Sequence, residues 1–405
     1  MGKHANPTAG WGPHLRAAWQ ALWVSRVLIW SAGLGAVGLW GVSRRQGDFD
    51  MPGLTRPFGS VGDALVAPAA RWDSYWFLEI ARDGYDSVRA AFFPLYPLLI
   101  APGRVFGERG MLLLGVAVSV ACFFVALTVL HRLTEIELGA DAARWTVLAL
   151  ALFPMSFFFT AVYSESLFLM VSVGAVYFAR TDRWAAAGLL GALGAATRSA
   201  GVVLVIALVL MWWQQSGRRA RDLAWICVVP LGLVVFCAGL ALVGEDYNAP
   251  FRAQDTWMRD FSMPFGAVSD GAVAAWDGLR QLLSGSNTPV YFEKAGDPLR
   301  SARHNVELFG YLLIAIPALI GAARRLPAAY AGYALAALAL PLSYPVEPQP
   351  LMSLPRFEIV LFPLFMWLGL WLSQGGNGRR TLVLGTFSVL LVISVARFAT
   401  WHWVA

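Results

Sequence analysis

The chain has 405 residues, of which 58% are hydrophobic and 14% charged, and a formal net charge of +6. Its mean hydropathy is +0.59. A soluble domain carries about 25% charged residues, so this composition excludes one. Apolar runs recur near the ~20 residues that cross a bilayer, which makes the chain a polytopic membrane protein. The excess charge is almost all arginine, spread over short loops instead of one face, and so excludes a nucleic-acid partner. Cys122, Cys227 and Cys237 lie inside apolar runs, and His4, His14, His131, His304 and His402 are scattered. Neither set has the spacing of a disulfide framework or a zinc site.

In chain order, the first apolar run covers 22–42 and reads as an uncleaved signal anchor, too long for a cleaved signal core. The stretch 92–106 is also apolar, but Pro94, Pro97 and Pro102 break a helix interior there. The whole of 43–109 is therefore expected to be one large exterior segment with short amphipathic helices lying along the membrane. Ten further crossings are expected at 111–131, 145–162, 164–180, 184–197, 199–215, 223–244, 308–323, 327–343, 357–373 and 382–398, making eleven with the first. The run 184–197 is short for a crossing, yet removing it would reverse the charge pattern downstream. A second exterior loop spans 245–307, and no internal repeat divides the 405 residues, so a single integral-membrane domain is expected.

Charge sets the orientation. With the N-terminus inside, the cytoplasmic loops collect Lys3 and Arg16, Arg132 and Arg144, and Arg180 and Arg183. They also collect Arg218, Arg219 and Arg221, then Arg324 and Arg325, then Arg379 and Arg380. The short exterior connections keep only Arg198 and Arg356. Five polar stretches then reach the same face: 71–97, Tyr163-Ser164-Glu165-Ser166, Thr197-Arg198-Ser199, the 245–307 loop and Tyr344 to Arg356.

The densest is Arg71-Trp72-Asp73-Ser74-Tyr75-Trp76 and its continuation to Tyr85. Ionisable groups at a membrane surface mark a candidate site. Asp73 begins a helix expected to run through Ala81, with Trp72, Trp76 and Ile80 on one apolar face. Its carboxylate is either the helix cap or a general base, and the two roles are compatible. Glu79, Asp83 and Asp86 read as solvated. Arg198 and Arg356 are either snorkelling interfacial arginines or forks for a phosphate, and Arg71 is either a third such fork or a partner for Asp73. Glu165 suits the first turn of a helix. Gln254, Trp257 and Arg259 are polar and aromatic enough to contact a sugar, although interfacial aromatic belts look the same. Gly33-Leu34-Gly35-Ala36-Val37-Gly38 matches a dinucleotide fingerprint, but it lies inside a membrane span with no strand before it, so close helix packing explains it.

Trp72-Asp73-Ser74 with Phe77, Ile80-Ala81 and Gly84-Tyr85, followed by Ala91-Phe92-Phe93-Pro94-Leu95-Tyr96-Pro97, resembles the PIG-V-like mannosyltransferases. Phe153-Pro154-Met155-Ser156 through Ala161 to Phe168 resembles the second motif of that family, and Ala196-Thr197-Arg198-Ser199-Ala200-Gly201 its third. Pro355-Arg356-Phe357 is similar to a short late element. The resemblance implies an all-α GT-C glycosyltransferase with its catalytic acid in the first exterior loop. It implies a polyprenyl-phosphate sugar as donor, mannose above all, transferred with inversion to a glycolipid, glycan or protein acceptor. Asp73 matches the acid, Tyr163 and Glu165 the site rim, and Arg198 a donor-phosphate contact, and Arg71, Trp72, Gln254, Trp257 and Arg356 are further substrate-binding candidates. The first loop carries one acid where many GT-C enzymes carry two, so no cofactor is called for and a divalent metal is unsupported. A bacterial plasma membrane with the site outside is the expected location. A transporter or lipid flippase, or a non-catalytic subunit of a glycan-assembly complex, is the alternative.

Overall fold

Two helices longer than a bilayer requires frame the molecule. Gly12–Trp40 has 29 residues and Gly107–Leu138 has 32, about 43 and 48 Å at the α-helical rise of ~1.5 Å per residue. The computed structural model describes residues 10–42, 51–256, 259–291 and 297–404. Among these, secondary structure is helical throughout, without a strand. Five stretches are long and apolar enough to cross a membrane alone: Gly12–Trp40, Leu95–Leu138, Ala220–Leu242, Pro298–Arg325 and Asn377–Ala399. Shorter apolar helices, among them Trp184–Ala195, Ala328–Leu342 and Phe362–Ser373, pack between them.

The helices that lead into the site are shorter. Ala140–Leu152 has 13 residues and Glu165–Arg180 has 16, about 20 and 24 Å, against a hydrocarbon core of ~30 Å. The run expected to cross at 145–162 is thus helical only to Leu152. Phe153 precedes Pro154, and the proline ring drives the residue before it out of the helical region, here to ψ 142°. A tight turn, Ser156–Phe159, follows. Irregular backbone at this depth persists only where protein surrounds it, and Phe157 and Phe159 are both fully buried. Arg26, midway along the first helix, supplies donors to the turn: Nη1 to Thr160 Oγ1 at 2.6 Å, and Nη2 to the Ser156 carbonyl at 3.1 Å. The connection between the two short helices therefore sits recessed below the tips of the long ones.

The stretch 92–106 does more than lie along a surface. Leu95–Ile100 is a helix that doubles back on the one starting at Gly107, whose φ of +70° makes the reversal. Tyr96 donates to the Gly115 carbonyl at 2.9 Å, two turns along the long helix. Closeness requires glycine at this crossing, since a methyl group on Gly103 would meet the Gly110 carbonyl oxygen at 2.7 Å. Gly33 serves the same purpose, as a methyl there would meet the Pro68 ring at 2.5 Å.

The Ser74–Asp83 helix differs from expectation on two counts. It is buried on nearly every side, through Tyr75, Phe77, Leu78, Ile80 and Ala81, instead of on one apolar face. Glu79 is not solvated: it is 5% exposed and pairs with Arg89 at 3.1 Å. A carboxylate on an all-round buried helix needs such a partner. Asp83 does remain exposed beside Arg82.

At the opposite end of the bundle, bonds gather the segments that carry the arginine-rich loops. His14 and His131 meet at 2.9 Å, Arg132 pairs with Glu135 at 2.8 Å, and Glu137 takes both Arg180 at 2.6 Å and the Tyr330 hydroxyl at 2.9 Å.

Candidate active site

The site is built on a strained turn. Trp72 has φ of +53°, a left-handed conformation that costs a bulky residue about 1–3 kcal/mol and persists only when its surroundings enforce it. The enforcing group is Tyr163. Its hydroxyl accepts from the Asp73 N–H at 3.1 Å and donates to the Arg71 carbonyl at 3.1 Å, bracketing Trp72 from both sides. Complete burial raises the phenol well above its ordinary value, with the nearby Asp73 charge adding to this, so the hydroxyl stays a donor. Tyr163→Phe leaves the Asp73 N–H unpaired and the Arg71 carbonyl with only the Ser74 N–H at 3.2 Å, and we expect a loss of about 1–3 kcal/mol, read as a lower thermal unfolding midpoint in detergent.

The turn aims Asp73 at Arg356. Asp73 stands at the head of the Ser74–Asp83 helix, yet its side chain makes no capping bond. It is ion-paired through Oδ2 with Arg356 Nη1 instead. Arg356 Nε also pairs with Glu165 Oε1, and the same oxygen takes Arg198 Nη1 at 2.6 Å. Four charges thus form one chain: Asp73, Arg356, Glu165, Arg198. Side-chain exposure is 0% at Glu165, 12% at Arg356, 13% at Arg198 and 19% at Asp73, so Asp73 is the acid that reaches the opening. A second left-handed residue, Ser353 at φ +68°, immediately precedes the short Leu354–Glu358 helix that presents Arg356. The Arg356 guanidinium lies over Tyr163 at 4.7 Å and Phe158 at 5.4 Å, a cation–π arrangement that fixes its plane.

Arg259 joins from the second large loop. It lies over the Phe357 ring at 5.6 Å, as does Arg198, and Nη2 reaches the Met352 carbonyl at 3.4 Å. Burial, with the positive Arg356 nearby, pushes its guanidinium down to about 10, while Asp73 opposes the shift. Among the described residues it makes no ion pair with a carboxylate, so three arginines face two acids and one positive charge is in excess.

The remaining expected site residues separate. Arg71 is buried, donates to the Ala399 and Ala70 carbonyls and stacks over Trp401 at 5.1 Å. Glu165 is a buried hub and not a rim residue. Gln254 belongs to the Ala249–Thr256 helix, and Trp257 lies outside the described residues. Sequence reasoning missed the C-terminal segment: Phe398, Trp403 and Val404 line the small cavity beside Asp73 with Trp72, Phe158, Tyr163 and Arg356. A signal existed, because the eleven crossings expected from the sequence, an odd number, would put that segment on the face of Asp73.

These features define an integral membrane protein with a charged site recessed at one end of a helical bundle. Residues 59–251 match the family model described as Mannosyltransferase (PIG-V). It is 34% identical over 218 residues to GPI alpha-1,6-mannosyltransferase 2 of Rattus norvegicus, covering 50% of this chain and 43% of that one. It is 31% identical over 113 residues to GPI mannosyltransferase 2 of Drosophila melanogaster, covering 25% of each. The chain therefore spans less than half the length of the curated relatives it matches. Among solved structures it is similar to the Archaeoglobus fulgidus oligosaccharyltransferase in complex with Zn and sulfate, at 12% identity and a TM-score of 0.43, covering 95% of this chain and 53% of that. It is also similar to ArnT from Cupriavidus metallidurans bound to undecaprenyl phosphate, at 13% identity and a TM-score of 0.38, covering 95% and 84%.

Proposed function

We propose that the protein is a membrane glycosyltransferase that moves mannose from a polyprenyl-phosphate donor to a hydroxyl of a glycolipid, glycan or protein acceptor. Asp73 takes the proton of the acceptor hydroxyl, whose oxygen attacks the anomeric carbon. The bond from that carbon to the phosphate oxygen breaks, and configuration inverts. The leaving lipid phosphate keeps the electron pair and gains negative charge, so cations placed for it stabilise the transition state. The observation that carries this reading is the pairing of an exposed-end carboxylate with one surplus arginine in a single site. A sugar–lipid phosphodiester brings one negative charge, which matches the excess. All these charges gather at one end of the bundle, which supports transfer near a surface over transport through the midplane.

Arg259 is the favoured phosphate contact, because Arg198 and Arg356 already hold carboxylates. An arriving phosphate would also compete for Arg356 and so release Asp73 to act as base. The lipid tail has a place to go. A cavity of about 420 Å³ lies between the Pro298–Arg325 and Ala328–Leu342 helices, lined by Phe265, Val268, Leu312, Ile316, Leu335 and Leu342. Its rim is tied to the Arg259 loop by Ser262 N–H to the Ser343 carbonyl at 3.1 Å and Phe265 N–H to Ser343 Oγ at 3.2 Å. Both site acids are taken up by guanidinium groups, a donor set that does not fit a divalent cation. Loop charge supports placing this end outside a bacterial plasma membrane.

The test is purified full-length protein with radiolabelled polyprenyl-phosphate mannose and a panel of acceptors. Labelled product is expected; movement of lipid or sugar across liposomes without product would overturn the reading. Arg259→Ala is expected to weaken binding of polyprenyl phosphate roughly 10- to 100-fold, the value of a charge-assisted contact, by titration. Unchanged binding would return the phosphate to Arg198.

A further inference from the structure

The cavity beside Asp73 is only about 10 Å³, room for a single water and far too little for a pyranose ring. What fills the space is the C-terminal segment, whose Trp403 and Val404 form one wall of that cavity. The segment is unevenly held. Trp401 is 3% exposed, adopts a left-handed φ of +65°, and is fixed by the Arg71 guanidinium stacked at 5.1 Å. Arg71 Nε also donates to the Ala399 carbonyl at 3.3 Å. Beyond that anchor His402 N–H donates to the Arg397 carbonyl at 2.8 Å and Val404 is buried, but Trp403 between them is held less. Trp403 is half-buried, its carbonyl accepts from Arg397 Nη2 at 2.9 Å, and its ring meets Trp72 edge to face at 5.2 Å.

We propose that residues 400–404 are a movable cap on the sugar subsite, hinged at Trp401, whose Trp403 indole withdraws to admit the hexosyl group of the donor and then packs on its ring. This rests on the donor assignment above. Three features carry it. Of the walls of the cavity, the one this segment supplies includes a half-buried ring, Trp403, whereas Phe158, Tyr163 and Phe398 are buried. Trp403 itself is held by one carbonyl bond and one ring contact. An indole offers a flat apolar face for the C–H side of a pyranose while demanding no charge from a site whose charges are otherwise engaged. The Trp72 indole N–H, which finds no acceptor among the described residues, is a donor for a sugar hydroxyl on the same side. The tail thereby senses the sugar, whereas Arg259 senses the phosphate.

The experiment titrates the full chain in detergent with polyprenyl-phosphate mannose and, separately, with polyprenyl phosphate. Trp403→Ala is expected to raise Kd for the mannosylated lipid about 3- to 10-fold, the worth of one aromatic contact, and to leave the bare lipid unchanged. Trp403→Phe should recover most of the loss, which guards against a variant that merely folds poorly. In the wild-type protein, amide exchange over 401–404 should slow on adding the mannosylated lipid and not the bare one. Equal effects on both lipids, or none on either, would overturn the cap. If the wild-type protein binds neither lipid, the donor assignment itself falls, and the cap with it.

Discussion

Asp73→Asn is expected to lower transfer from polyprenyl-phosphate mannose by about 10²- to 10⁴-fold, the contribution of a positioned general base. The amide keeps the shape and a hydrogen bond to Arg356, so the strained turn at Trp72 and the Tyr163 bracket should survive. What it loses is the ability to take a proton. Because Asp73 is the most exposed member of the charge chain, at 19%, the substitution should move the unfolding midpoint little. That separates a chemical role from a structural one: low turnover with unchanged stability and no weakening of donor binding marks the base. Asp73→Glu should also fall, by about 10²-fold, since one extra methylene displaces the carboxylate by more than the ~1 Å that such sites tolerate. Retention of full activity in Asp73→Asn would reduce the residue to a holder of Arg356.

The charge pattern of the loops made the gathering of polar turns legible, because orientation follows from a simple count of arginines. Five separate stretches were expected on one face, and bonds link residues of each: Asp73 and Glu165 to Arg356, Arg198 to Glu165, and Arg259 to the Met352 carbonyl. Individual roles were less legible. Arg198 and Arg356 both read as phosphate forks, yet each is committed to an acid, and Arg356 meets its partners across 191 and 283 residues of chain. No local spacing reveals a pair so far apart. Tyr163 acts through its hydroxyl on backbone groups 90 and 92 residues away, a role that leaves no trace in residue type. The short helix ending at Leu152 was hidden for a different reason. Apolar composition continues through Phe159, and only Pro154 marks where the helix stops.

The second large effect concerns Arg356. Arg356→Ala removes the link between Asp73 and Glu165, and breaking a buried pair by deleting one partner costs about 3–5 kcal/mol. The lower end is expected here. Glu165, fully buried, still keeps Arg198 at 2.6 Å, while Asp73 is exposed enough to recover water. Transfer should fall by at least 10²-fold, because the acid loses its orientation and the leaving phosphate a nearby cation. Arg356→Lys should restore part of the stability and little of the activity: a single ammonium cannot reach two carboxylates in the plane that Tyr163 and Phe158 impose. Pairing Arg356→Met with Glu165→Gln completes the argument. Arg356→Met alone leaves Glu165 its pair with Arg198, whereas adding Glu165→Gln strips Arg198 of its carboxylate, so the double variant should unfold at a lower temperature than Arg356→Met alone. It should remain inactive. A double variant at least as stable as the single one would mean that Glu165 answers chiefly to Arg356, and that its pair with Arg198 contributes little.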